Sequence, residues 1–98
     1  MHARSGTLQV PLDQVDAAVA AIRAQMPQYH QAKGFRGFTV IADRSSGKMM
    51  GISFWDTEAD RDASESLGTQ ARKAAQDAGS SPTGPTREVW EVLLDETA

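Results

Sequence analysis

The run Met49-Met50-Gly51-Ile52-Ser53-Phe54-Trp55 puts large apolar side chains on both sides of an extended chain. Successive residues of a strand point to opposite faces, so Met50, Ile52 and Phe54 share one face and Met49, Gly51, Ser53 and Trp55 the other. A strand of this kind belongs inside a sheet that is covered on both sides. Just upstream, Phe38 to Ala42 is a second β-prone run that sets Phe38 and Val40 against Ile41. The segment Asp43-Arg44-Ser45-Ser46-Gly47-Lys48 between the two is turn-forming, with its glycine near the end, and predicts a hairpin.

Downstream of Trp55, Asp56 or Thr57 caps a second helix, and Thr57-Glu58-Ala59-Asp60 resembles a capping box with Asp in place of Glu. The stripe of that helix, Ala59, Ala63, Leu67, Ala71, Ala74 and Ala78, is mostly alanine, so the helix can approach the sheet closely while burying little area per turn. Gly79 ends it, Ser80 to Pro85 is a loop by composition, and Glu88 to Leu94 is the last strand, with Val89 and Leu93 opposed to Trp90, Val92 and Leu94. Upstream of the hairpin, Val15, Val19, Ile22 and Met26 step by four, three and four along a first helix capped by Asp13. Pro27 kinks or breaks it near Gln25, before a resumption through Tyr29 to Ala32 and a stop at Gly34. Ala3 to Val10, closed by Pro11, alternates as the first strand. The order is βαββαβ, which predicts an α+β, ferredoxin-like domain over residues 1–98: an antiparallel four-stranded sheet with two helices on one face.

One layer of helices cannot cover both faces of such a sheet. Burying about 500 Å² of apolar surface against a second copy, at about 25 cal/mol/Å², is worth roughly 12 kcal/mol before association costs, and predicts a homodimer. Ten basic residues against thirteen acidic ones give a net charge of −3, so no basic field exists to hold a phosphate backbone, and nucleic acid is not an expected partner. The absence of Cys excludes disulfides and thiolate-held metals and fits a reducing cytoplasm. With no apolar region at the N-terminus and no run near the roughly 18 apolar residues of a membrane span, the expectation is a cytoplasmic protein without a membrane partner.

The βαββαβ order, the Gly34-Phe35-Arg36-Gly37-Phe38 lead into the second strand, and Gly51-Ile52-Ser53-Phe54-Trp55-Asp56 before an acidic helix start resemble the antibiotic biosynthesis monooxygenase superfamily. The resemblance covers nearly the whole chain and implies a dimeric α+β barrel. That superfamily includes cofactor-free oxygenases of polyketide phenols and quinol precursors, haem-degrading oxygenases, and small proteins of no known activity, so the fold leaves function open. Its haem-degrading members use an Asn on the first strand and a Trp and a His on the second helix. Ala3 to Val10 has no Asn here, and Thr57 to Ala78 has neither Trp nor His, which disfavours haem degradation. The resemblance then implies a cofactor-independent monooxygenase that takes a small apolar aromatic of phenol or quinol type between helices and sheet, without metal or flavin. The alternative is a non-catalytic small-molecule-binding or structural homodimer of the same fold.

His30 follows Met26 by four residues and would continue the buried stripe of the first helix if helical phase survives Pro27; there it would act as a base or orient a phenolic oxygen. Read otherwise, it is a histidine at a frayed helix end. Tyr29 is its polar neighbour, either catalytic or packed with a wet hydroxyl. Trp55, where the third strand turns into the second helix, closes the core or walls a pocket. Trp90 is a core or interface residue, with ligand contact as the second reading. Phe38 and Arg36 complete the candidate ligand contacts, and Arg36 and Arg87 are each a partner for an anion or a solvated charge. Two histidines without recognisable carboxylate spacing give no metal site, and Glu58, Asp60, Asp62 and Glu65 complement a helix dipole.

Overall fold

In the computed structural model, which describes residues 1–97, the two predicted helices each divide in two. The elements are β1 (His2–Gln9), α1 (Val15–Arg23), α2 (Met26–His30), β2 (Phe35–Asp43), β3 (Lys48–Trp55), α3 (Glu58–Ala63), α4 (Glu65–Ala78) and β4 (Thr86–Glu91), with one 3-10 turn at Leu12–Gln14. That turn displaces Asp13 from the cap position: α1 begins behind Gln14, and no side chain caps it. Pro27 marks the expected break of the first helix near Gln25 rather than a kink in one continuous helix. It sits in the first turn of α2, where its missing amide has no intrahelical partner to lose.

The division resets the helical phase. Burial passes from Ile22 through half-buried Met26 to Tyr29, a last step of three rather than four, and His30 turns out to solvent. The second division, at Ser64, has a comparable effect. Thr57 caps α3 as predicted, its Oγ1 accepting the Asp60 amide at 3.0 Å. The buried track, however, runs Arg61, Ser64, Gly68, Ala71, Ala75, and the predicted stripe members Ala59 and Ala63 are exposed. Alanine is apolar enough to suggest a buried stripe, whereas an arginine and a serine in the true track hide it.

The sheet order is β2-β3-β1-β4, with every neighbouring pair antiparallel. Register places Arg4, Gly6 and Leu8 opposite Ser53, Gly51 and Met49 on the face that the helices cover. Leu8, Val10, Val15, Ala18, Ile22, Met49 and Ala75 form one part of the core there, and Tyr29, Trp55 and Ala71 form the other. The hairpin turn ends at Gly47, whose φ of 80° is the left-handed conformation that glycine adopts without strain. The last strand starts and stops earlier than predicted, leaving Leu93 and Leu94 outside it and exposed.

The opposite face carries Met50, Ile52 and Phe54 beside Ala3, Ser5 and Thr7, flanked by Ile41 of β2 and Trp90 of β4. No helix lies over it, so Ile41 is 53% and Trp90 49% exposed. Among the described residues no helix is long and apolar enough to cross a membrane.

Candidate functional site

Small residues on facing elements leave a cleft between helices and sheet. Gly6 of β1, Gly51 of β3 and Gly68 and Ala71 of α4 line it, with Leu8, Ile22, Phe38 and Met49 supplying apolar walls and Arg4, Tyr29, Ser53 and Arg72 the polar groups. The space is occupied where a side chain would otherwise go: a Cβ on Gly68 would stand 2.6 Å from Arg4 Nε, and one on Gly51 would stand 3.2 Å from the Phe38 ring. The Cγ and Cδ of Arg72 lie across Gly6. What remains open is about 40 Å³, room for roughly three waters at 10–15 Å³ each and far less than the several hundred of a drug-sized pocket.

Arg4 is the residue that sequence reasoning passed over. Its alternation with Gly6 and Leu8 already places it on the inner face, but a buried arginine contradicts the usual sorting of charge. The structure satisfies it fully. Nη1 donates to the Arg61 carbonyl at 2.9 Å and to Glu65 Oε2 at 3.1 Å; Nη2 donates to the Ser64 carbonyl at 3.1 Å and to Ser64 Oγ at 2.9 Å. Burial lowers its pKa, and the Glu65 carboxylate opposes that shift; an arginine so paired remains a cation.

Tyr29 is 1% exposed and packs against Phe35, Phe38 and Trp55 at ring separations of 5.6, 5.2 and 6.1 Å. Burial raises the pKa of its hydroxyl and the neighbouring Arg4 guanidinium pulls the other way; the net shift is upward, so near neutrality the group is a donor. Glu65 receives three guanidiniums: Arg4 at 3.1 Å, Arg72 at 3.1 Å and Arg87 at 2.7 Å. Burial pushes its carboxyl up, but the hydrogen bonds from Arg87 and Arg72 and the charge of Arg4 outweigh it and hold the pKa below its ordinary value.

Of the residues singled out in the sequence, Tyr29 and Phe38 line the cleft. Trp55 is fully buried behind it, its indole N–H donating to Ser53 Oγ at 2.9 Å. His30 does not reach the cleft: it is exposed, its ring edge 5.3 Å from Phe35, because the phase reset at α2 gives the inward position to Tyr29. Arg36 points to solvent and pairs with Asp56 at 3.3 Å. Trp90 lies on the other side of the sheet, its Nε1 donating to Ser5 Oγ at 2.9 Å. Among the described residues no group of three or more His, Cys, Asp or Glu is placed to hold a metal ion.

Solved structures share this architecture from end to end. A monooxygenase from the ActVA-Orf6 gene of Streptomyces coelicolor, in complex with nanaomycin D, superposes with a TM-score of 0.77 over 99% of this chain and 91% of its own, at 13% identity. A Deinococcus radiodurans protein described as an antibiotic biosynthesis monooxygenase gives 0.73 over 100% and 98%, at 19% identity. The chain has the fold of the antibiotic biosynthesis monooxygenases. A haem degrader of Mycobacterium tuberculosis with two haems in its active site has that fold as well, with a TM-score of 0.71, 16% identity and coverage of 99% and 100%; the cleft described above is lined by neither histidine of this chain. No protein-family profile matches. Two uncharacterized M. tuberculosis proteins are 31% identical over 94 residues and 32% identical over 97, which is 94% and 96% of this chain. The chain spans only 41% and 39% of their lengths.

Proposed function

We propose that this domain is a homodimeric, cofactor-independent monooxygenase that binds a small apolar aromatic of phenol or quinol type in the cleft between helices and sheet. The observation that carries this reading is the convergence of the Tyr29 hydroxyl, the buried Arg4 guanidinium and Ser53 on a cavity otherwise walled by apolar side chains. A phenolate oxygen placed there would be stabilised by positive charge in a dry surrounding, which lowers the pKa of the bound phenol without a dedicated base. His30, outside the cleft, is given no part in the scheme. The deprotonated substrate supplies the electrons to dioxygen itself: one oxygen atom becomes the new carbonyl oxygen, and the other leaves as water, taking up the hydrogen of the oxidised carbon and the proton released when the phenol ionised. Neither metal nor flavin enters that balance.

The ligand needs more room than the cleft offers at rest. Arg72 is the side chain to move, since its stem lies over Gly6 and its guanidinium is held from outside the apolar walls, by Glu65 at 3.1 Å and Thr69 at 3.3 Å. The face bearing Met50, Ile52, Phe54 and Trp90 is the proposed dimer surface, and Trp90 takes that role rather than ligand contact. The second reading, a structural homodimer without catalysis, is favoured by the small cavity volume and by the full set of acceptors around Arg4. Oxygen uptake with a panel of anthrones and dihydroxynaphthalenes separates the two. Consumption that falls at least about tenfold in Tyr29→Phe supports catalysis, and no consumption with any of the panel supports the structural dimer.

A further inference from the structure

Three guanidiniums meet at one carboxylate where α4 begins, leaving a formal excess of two positive charges in a chain whose net charge is −3. The neighbouring Arg61 does not add to the excess, because Glu58 and Asp62 both pair with it. The cluster is graded in access. Arg4 is buried to 2% side-chain exposure, Arg72 is at 17% and Arg87 at 43%, with Glu65 itself at 37%. Exposure therefore increases from Arg4 and Arg72, which line the cleft, to Arg87, which stands outside its lining. Arg72 lines the cleft and lies across Gly6, and Arg87 stands directly opposite Gly6 on the neighbouring strand.

Neutral structural packing would need one cation for that carboxylate. Arg4 already provides it, with the better-shielded bond. Arg72 and Arg87 are then surplus to the fold, and both stand at the Gly6 side of the cleft, which the Arg72 stem covers. We infer that the mouth of the cleft is an anion subsite, and that the aromatic ligand is an acid whose carboxylate is received by Arg72 and Arg87 beside Glu65 while its ring enters over Gly6. This rests on the cleft being the ligand site and adds the charge of the ligand to it. Arginine suits the task because its planar fork takes a carboxylate with two parallel hydrogen bonds.

The test compares 6-hydroxy-2-naphthoate, whose hydroxyl and carboxylate stand at opposite ends of the ring, with 2-naphthol, the same ring system without the carboxylate, by titration calorimetry on the intact chain. The acid is expected to bind at least about tenfold more tightly at low salt, the worth of one charge-assisted pair. That ratio falls toward one as sodium chloride is raised and in Arg87→Gln, a substitution at an accessible position on an edge strand. Equal affinities for the two compounds in the wild-type protein overturn the anion subsite and leave the aromatic cleft standing. Failure of both compounds to bind overturns the cleft and the subsite together. A preference for the acid that persists undiminished in Arg87→Gln and at high salt overturns the assignment to these arginines.

Discussion

Arg4 and Trp55 hold each other in place around a closed circuit. The Arg4 guanidinium lies 5.9 Å from the centre of the Trp55 ring, the indole N–H donates to Ser53 Oγ at 2.9 Å, and that hydroxyl donates to the Arg4 carbonyl at 3.4 Å. Since Arg4 and Ser53 are direct partners across β1 and β3, the circuit ties a side chain of β3 to the backbone of β1 and the Arg4 side chain back to a ring on β3. The guanidinium is thereby fixed at its ring end by a cation–π contact and at its other end by the junction of α3 and α4. A charge so pinned behaves as part of the cleft wall.

A tight constraint on Arg4 sets the sign of Gly68→Ala. In an ordinary helix interior that change is favourable by about 1 kcal/mol. Here the new methyl group would stand 2.6 Å from Arg4 Nε and 3.0 Å from its Cζ, against a side chain whose four hydrogen bonds prevent it from yielding. Overpacking of this kind costs about 1–3 kcal/mol, so the variant is expected to unfold at lower urea concentration with an unchanged m-value. A stabilised Gly68→Ala protein would mean that Arg4 is free to move.

The uncovered sheet face makes a prediction about mass. Met50, Ile52 and Phe54 continue one apolar surface between Ile41 and Trp90, and a monomer would leave that surface in water. Sedimentation equilibrium at micromolar concentration is expected to give twice the 10.6 kDa of one chain. Ile52→Glu puts a charge in the middle of the patch and is expected to give the single-chain mass with helical content retained. A wild-type monomer at that concentration contradicts the proposed dimer.

Glu65 sets an acid limb of stability. Its folded pKa lies below the ordinary carboxylate value, so the stability it contributes is present above the unfolded value of about 4.3 and is lost as pH falls from there through the folded pKa. Glu65→Gln cannot titrate. Denaturation midpoints of the two proteins should therefore differ by a constant amount above about pH 5 and converge as the pH is lowered past 4. A gap that stays constant down to the acid transition would show that the three arginines do not depress this carboxyl.

The strand and helix order was legible because each strand is marked by alternation and each helix is bounded by a turn or a glycine. The uncovered second face was legible for the same reason, in Met50, Ile52 and Phe54 set against Met49 and Trp55. What the sequence concealed were the phase in which the first helix resumes after its expected break near Gln25, and the second helix division, at Ser64, altogether. Each shifts the inward face by about one residue, exchanging His30 for Tyr29 and an alanine stripe for Arg61, Ser64 and Gly68. Arg4 was hidden differently. Its position on the inner face follows from β alternation, but the carbonyls that make its burial tolerable lie 57 and 60 residues away, and no local pattern announces them.

Tyr29 is the chain's one tyrosine, so the ultraviolet absorbance change of phenol ionisation reports this site alone. Burial raises its pKa, and Arg4 opposes the shift without cancelling it. For a group whose folded pKa is raised, the stability it contributes is fully present below the unfolded value of about 10 and is lost as pH rises through the folded value. The native protein is therefore expected to titrate at higher pH than the chain in urea, and to lose stability across that interval more steeply than Tyr29→Phe. Weakening Arg4 should move the native titration further upward, because the cation that most favours the phenolate is then gone; Arg4→Met is the variant that reads it, provided its circular dichroism remains native. A native midpoint at or below that of the urea-unfolded chain would show that the Arg4 charge outweighs burial. Tyr29 would then be an acid ready to ionise near the substrate, and the cleft would have to be assigned a base where the present scheme has a hydrogen-bond donor.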